Sequence, residues 1–412
     1  MPHLPKRWLL VPAVSCALSG LFGCAPTINY ALKSVPAESS LQLTEITADR
    51  DSVAGPVVYW KGKAWSYDVR SRFSLSADGF KLAYMSKQGG ATGIVIRMLD
   101  GSYRTFRKPA TGEAIDPVIA PDGSRMAFAR CDHHAWNIFE TSLDSNPAVR
   151  RVTNDPCYNL YPAYAADRKQ LLFNHVELQQ GREKGVAEPS WKLCSADLET
   201  SVLTEYGDGF SPSYAPGKNR AVAVRLNDST QTTELWLIDL ATGARSRLFG
   251  KPGQGVADPA VSPDGKVVAF VTMTEDSNTP ANLDIYTMNM DGSSLTRRTF
   301  FPGQDLCPRW SGDGNSLYFL SQRNTESGEW NVWKMDLTGI PAAGAATDAK
   351  VQPASPVPVK PAVKEPSPPA PNSALQKSAV PAESPAQGGS LADTAKISPP
   401  PPPHDSTTQG GK

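Results

Sequence analysis

Asp116, Asp258 and Asp305, with Arg309 close behind the last, stand in front of short β-prone runs. Carboxylates gathered around one opening would receive a basic peptide or a cation. The plainer alternative is that each caps a turn and accepts backbone N–H groups. A second group, Cys131-Asp132-His133-His134, has the residue types of metal ligands. Neighbouring strand residues point to opposite faces, so His133 and His134 reach one ion only from a loop. The expectation is an exposed loop pair that holds no metal and joins the three aspartates and Arg309 as candidate binding residues. The chain contains no G-x-S-x-G elbow, no G-x-x-x-x-G-K-[ST] loop and no H-E-x-x-H pair. No catalytic residue is therefore assigned, no cofactor is expected, and the chain is read as a non-enzyme.

The elements that position these residues follow from composition and repetition. The chain has 412 residues, with 41 Lys+Arg against 41 Asp+Glu. Such a balance provides no field for phosphate backbones, so nucleic acid is not an expected partner. Of the 37 prolines, 16 lie after residue 340, a stretch without Phe, Trp or Tyr. It cannot bury enough apolar surface to offset chain entropy, and 341–412 is expected to be a disordered tail. Extended polyproline conformations would let it reach on the order of 200 Å. It reads either as a tether that touches envelope partners, with Pro399–Pro403 docking an aromatic groove, or as a solvated spacer.

Six segments align: Arg72–Ser86, Asp116–Arg130, Tyr161–His175, Ser211–Arg225, Asp258–Thr272 and Cys307–Ser321. Their turns sit at Asp78, Asp122, Asp167, Gly217, Asp264 and Asp313, a spacing that suits propeller blades of about 40–50 residues. Asp-Gly is expected to supply the positive φ values of a tight hairpin, and a preceding Pro to fix φ. Each turn leads into a β-prone run such as Lys266–Val271, then a third strand such as Leu235–Asp239, then a basic fourth strand such as Arg245–Leu248. Four antiparallel strands at this period make one blade. The last copy has no fourth strand before the Pro/Ala tail. Because an open ring exposes a sheet edge, a strand within Leu41–Trp60 is expected to complete it.

The repeat resembles that of the TolB-type propeller, close to Pro-x-Trp-Ser-Pro-Asp-Gly followed by an Ile-Ala-Phe strand. The resemblance covers about residues 56–340 and implies an all-β, six-bladed β-propeller in the cell envelope. The α/β domain that TolB proteins carry ahead of the propeller has no room here. The implied role is a protein- or peptide-binding scaffold, as a monomer. The alternative is a carbohydrate-binding or polysaccharide-lyase-like enzyme working at the channel mouth. A prolyl-oligopeptidase-type enzyme is set aside, because no hydrolase domain fits after residue 340.

In this blade order the connections from strand two to three, and from strand four to the next blade, share one face. Long loops load it, among them 131–136, 154–160 and 176–190. Asp116, Asp258 and Asp305 are expected to ring the channel mouth there. With Cys16 and Cys24 set aside, four cysteines remain. Cys131 and Cys157 lie on loops of that face in consecutive blades and are the preferred disulfide. Cys194 is expected as a buried thiol, and Cys307, at the mouth, competes for a partner. Three pairings remain open.

Residues 1–23 read as a signal peptide: Lys6 and Arg7, then an apolar run from Trp8 to Leu18. It ends in Leu21-Phe22-Gly23-Cys24, which resembles the bacterial lipoprotein signal. That resemblance implies lipidation of Cys24, a linker over 24–55, and, with Ala25 rather than Asp following, anchoring in the outer membrane with the propeller facing the periplasm.

Overall fold

A computed structural model describes residues 38–55, 58–60, 65–67, 73–88, 91–107, 112–132, 135–144, 147–180, 187–217, 219–252, 254–276, 279–325 and 329–338. The signal peptide, Cys24, His133, His134 and the Pro/Ala tail lie outside them.

The described residues are all-β, apart from two single 3-10 turns at Glu38–Ser40 and Asp49–Asp51. None of their helices is long and apolar enough to cross a membrane. β1 (Leu43–Glu45) comes first, then a separate hairpin of β2 (Val58–Trp60) and β3 (Trp65–Tyr67). Antiparallel four-stranded sheets follow. The first is β4 (Phe73–Leu75), β5 (Lys81–Gln88), β6 (Ala91–Met98) and β7 (Arg104–Arg107). The second is β8 (Ala114–Ile119), β9 (Arg125–Asp132), β10 (Ala135–Ser142) and β11 (Val149–Arg151). The third is β12 (Tyr158–Tyr164), β13 (Gln170–Gln180), β14 (Ala187–Asp197) and β15 (Leu203–Asp208), joined to the second by one parallel pair, Trp136 with Tyr158. The fourth is β16 (Phe210–Ala215), β17 (Arg220–Asn227), β18 (Thr232–Asp239) and β19 (Arg245–Phe249). The fifth is β20 (Val256–Val261), β21 (Val267–Asp276), β22 (Thr279–Asn289) and β23 (Thr296–Arg297). β24 (Asp305–Trp310), β25 (Ser316–Ser321) and β26 (Asn331–Asp336) form the last, and its fourth strand is β1. Leu43 pairs with Met335, Thr44 with Lys334 and Glu45 with Trp333. A strand from the expected Leu41–Trp60 window thus occupies the vacant edge.

The second strand of each sheet is apolar without alternation because it is covered on both faces. Val268, Ala269, Phe270 and Val271 are all buried. Ala269 packs with Ile285, Phe319 and Trp333 toward the sixth sheet. Phe270 and Val268 pack with Val222, Val224 and Phe249 toward the fourth. Leu172 and Leu193 meet Ala221 and Ile238 in the same way. Each large side chain so covered contributes about 1.5–3 kcal/mol. The largest cluster draws Phe73, Tyr84, Ile115, Leu160, Tyr161, Ala257 and Leu306 from five of the sheets.

The turn between strands one and two differs from the expected two-residue form. Only the glycine of each Asp-Gly pair takes a positive φ, as at Gly79 (73°), Gly123 (69°), Gly265 (68°) and Gly314 (73°). The aspartate stays in the ordinary region and accepts the amide two residues on, 3.1 Å from Lys266 N to Asp264 and 3.0 Å from Asn315 N to Asp313. The Gly265 amide in turn bonds the Ser262 carbonyl at 2.9 Å. This is a four-residue loop in which Pro263 sets the first corner and glycine the last.

Candidate functional site

In five of the six sheets the residue before a proline in the first strand carries a repeated distortion. Asp116, Tyr161, Ser211, Asp258 and Cys307 have φ values of 52°, 56°, 54°, 47° and 55°. At each one the ladder to strand two slips by a residue, between Ile115 and Val118 in β8 and between Ala257 and Ala260 in β20. Proline has no N–H for the ladder, so a bulge is where a strand tolerates it. The bulge turns five side chains inward, and all are buried. Asp116 and Asp258 are 2% and 1% exposed, so the expected open acidic mouth is not formed by them. Asp258 instead accepts the Cys307 thiol, Sγ to Oδ2 3.3 Å.

Asp305 is also buried, in an ion-pair network rather than at a rim. Arg323 Nη2 lies 2.8 Å from Asp305 Oδ2 and 3.0 Å from Glu38 Oε1, ahead of β1. Aromatic rings of Phe301 and Phe319 flank the guanidinium, each with its centroid 5.0 Å away. Burial pushes the Asp305 carboxyl up to about 6 against the pull of Arg323. The corresponding pair in the fifth sheet joins buried Asp284 to half-buried Arg297 at 2.9 Å, and burial raises Asp284 to about 7. Arg309 is half-buried, and its Nη1 donates to the Pro308 carbonyl at 2.7 Å. Neither of the expected roles, partner contact or turn cap, describes Asp305; its place is structural.

Chemistry-bearing side chains converge elsewhere, where the chain leaves the second sheet and enters the third. Asp155, Cys157 and His175 each place one ligand atom within 4.8 Å of the others, and all three are half-buried. Strand alternation explains the convergence. Asn159 on β12 pairs directly with His175 on β13, so Cys157, two residues before Asn159, and Glu177, two after His175, fall on the same face. Asn159 and Asn137, both fully buried, form the platform. Asn159 Nδ2 donates to both Asp155 carboxylate oxygens at 3.0 Å, and its Oδ1 lies 3.0 Å from His175 Nδ1. Asn137 Oδ1 accepts from Thr153 Oγ1 at 2.9 Å, and its Nδ2 donates to the Asp155 carbonyl at 3.2 Å. His175 Nε2 lies 3.5 Å from Glu177 Oε1. Burial raises the Cys157 thiol, and the charges of Asp155 and Glu177 push it the same way.

Cys131, Cys157, Cys194 and Cys307 all stand as thiols, so the preferred Cys131–Cys157 disulfide is not formed. Cys131 is fixed on β9 opposite Trp136, whereas the Asp155 loop brings Cys157 to His175. Cys194 is buried as expected, and burial pushes its thiol to about 12. Sequence reading passed over Asp155 and His175 as a pair. The signal was available in the alternation of Cys157 and Asn159 against His175 and Glu177, but only the strand register discloses it.

Residues 191–355 match the model of the TolB beta propeller domain family. Over those residues the chain is similar to the TolB-type propeller. The Tol-Pal system protein TolB of Francisella tularensis is 24% identical over 227 residues, 54% of this chain and 48% of that protein. Dipeptidyl-peptidase 5 of Porphyromonas gingivalis is 21% identical over 268 residues, 62% of this chain and 38% of that one. The chain thus spans less than half the length of these curated relatives. Among solved structures it is similar to TolB from Acinetobacter baumannii (TM-score 0.48, 15% identity, 63% of this chain and 64% of that one). It is also similar to an oligogalacturonate lyase from Vibrio parahaemolyticus (TM-score 0.47, 13% identity, 74% and 96%).

Proposed function

We propose that this TolB-like chain is a non-enzymatic scaffold of the cell envelope that holds a protein or peptide partner on one face of a closed, six-bladed ring. Support for the ring comes from β1 on β26 and from Gly312 in the last sheet. A Cβ at Gly312 would overlap the Ala77 carbonyl oxygen of the first sheet, so the two turns are in backbone contact. In this reading Cys24 is acylated and holds the chain at the outer membrane, and 341–412 is a tether.

One observation carries the choice of face. β13 and β14 run 11 residues each, and their pairing continues from Val176–Trp191 through Gln180–Ala187, past the start of β12 at Tyr158. β21 and β22 likewise continue past Val256 to the Asp276–Thr279 pair. These ribbons stand beyond their own first strands at one end of the sheets. In this reading an added peptide strand pairs with the ribbon backbone along such an edge. Photo-crosslinking residues placed at 180 and 187 in intact cells should capture an envelope protein, whereas the same residue at 265, in a turn at the opposite end, should not. Equal capture from both ends, or none from the ribbon, rejects the assignment. Loss of palmitate labelling in Cys24→Ser checks the anchor.

A further inference from the structure

We propose that Asp155, Cys157 and His175 form a binding site for a divalent transition-metal cation of borderline softness, Zn2+ by its ligand preference. Nothing in the partner-binding reading requires this site, and it stands or falls separately.

The donor set is the first argument. One thiolate, one imidazole and one carboxylate is a combination that Zn2+ takes up in tetrahedral geometry, with sulfur at about 2.3 Å and nitrogen or oxygen at about 2.0–2.2 Å. Ligand atoms around such an ion lie some 3–4 Å apart, so atoms already within 4.8 Å of one another need only a small contraction. Calcium and magnesium, which prefer all-oxygen sites, fit poorly.

The supporting shell is the second. A ligating histidine usually has its other ring nitrogen held by a hydrogen bond, which fixes tautomer and ring direction. Asn159 Oδ1 sits 3.0 Å from His175 Nδ1, a bond in which Nδ1–H donates and Nε2 is left as the ligand atom. The same Asn159 amide grips both Asp155 oxygens, and Asn137 beneath it fixes the backbone carbonyl of the same residue. Two fully buried asparagines from β10 and β12 thus orient two of three ligands from below. The arrangement is held before any ion arrives, and half-burial leaves a path for one.

Electrostatics is the third. The Asp155 carboxylate lies within the cluster and the Glu177 carboxylate stands beside His175, so the place favours a cation. On binding, Cys157 Sγ–H gives its proton to solvent, and the thiolate forms the metal–sulfur bond. Uptake therefore releases a proton and strengthens with pH. Water takes the fourth place.

The test uses the full-length reduced chain, with Co2+ as a spectroscopic stand-in and Zn2+ as competitor. The expected result is one equivalent of Co2+ bound with a thiolate-to-cobalt charge-transfer band, displaced by Zn2+. Cys157→Ser should abolish the band and His175→Gln should weaken binding on the order of 100-fold, while Cys131→Ser leaves both intact. A readout that needs no variant is alkylation: Zn2+ should slow iodoacetamide capture of Cys157 and not that of Cys131. Failure of the wild-type chain to take up either ion overturns the site. So does an undiminished band in Cys157→Ser, or an alkylation rate at Cys157 indifferent to Zn2+.

Discussion

Thr47 Oγ1 donates to Asn331 Oδ1 at 3.0 Å across 284 residues of chain. The same hydroxyl accepts the Val332 amide at 2.8 Å, and Ile46 N donates to the Val332 carbonyl at 2.8 Å. Within the second sheet, Thr153 Oγ1 donates to Asn137 Oδ1 at 2.9 Å and accepts the Ile138 amide at 2.9 Å, while Val152 N reaches the Ile138 carbonyl at 2.8 Å. In the fifth, Thr299 Oγ1 accepts the Ile285 amide at 3.0 Å. Thr47 therefore does for the last sheet what a threonine after the fourth strand does elsewhere, although it arrives from the opposite end of the chain.

Removing that hydroxyl takes a partner from the Val332 amide and from the Asn331 side-chain Oδ1 in a buried place. Thr47→Ala should lower unfolding free energy by about 1–3 kcal/mol, and Thr153→Ala by a similar amount. Urea unfolding followed by tryptophan fluorescence measures both. An unchanged midpoint in Thr47→Ala would show that the N-terminal strand is not needed to complete the last sheet.

Gly312 tests the contact between the last turn and the first. Alanine there has nowhere to go but into the Ala77 carbonyl. A loss of about 1–3 kcal/mol is expected from the forced backbone shift. Gly217→Ala is a comparison of limited use, since Gly217 has open space but a φ of 74°. A Gly312→Ala chain as stable as wild type refutes the close approach.

Stability should depend on pH through the buried aspartates. Burial raises Asp305 to about 6 and Asp284 to about 7, above the value of about 3.9 in an unfolded chain. Between those limits the folded state binds more protons than the unfolded one, so stability falls as pH rises from about 4 to about 7. Each titrating group contributes a slope of up to about 1.4 kcal/mol per pH unit. Turn aspartates act in the other direction. The Ser262 hydroxyl and Lys266 amide hold Asp264 below the usual carboxylate range, a contribution lost only as pH falls below about 4. Denaturant midpoints across pH 4–8 should decline in wild type and decline less in Asp305→Asn. A rise over that range would contradict the assignment.

The bulge aspartates should tolerate asparagine and reject β-branched residues. Asp116 and Asp258 occupy left-handed backbone, which Asn adopts readily and Val does not. Asp116→Val is expected to cost on the order of 2 kcal/mol more than Asp116→Asn. Thermal melts of the two variants side by side decide it; equal melting temperatures would mean the distortion relaxes without cost.

The sequence by itself determined the sheet units. Local patterns — Pro-Asp-Gly corners, unbroken apolar second strands, basic fourth strands — act over a few residues, and they placed the turns at Asp78, Asp122, Asp264 and Asp313 where the structure has them. The Ile46-Thr47-Ala48-Asp49 string even repeats Val152-Thr153-Asn154-Asp155, a match visible without coordinates. Tertiary structure alone decided where the charged and nucleophilic groups end up. Asp116 and Asp258 are buried because a bulge before proline reverses the usual alternation, which no periodicity displays. Asp305 finds Arg323 and Glu38 only once β1 lies on β26. His175 meets Cys157 because one strand register, among several that the apolar pattern allows, is selected by packing against neighbouring sheets.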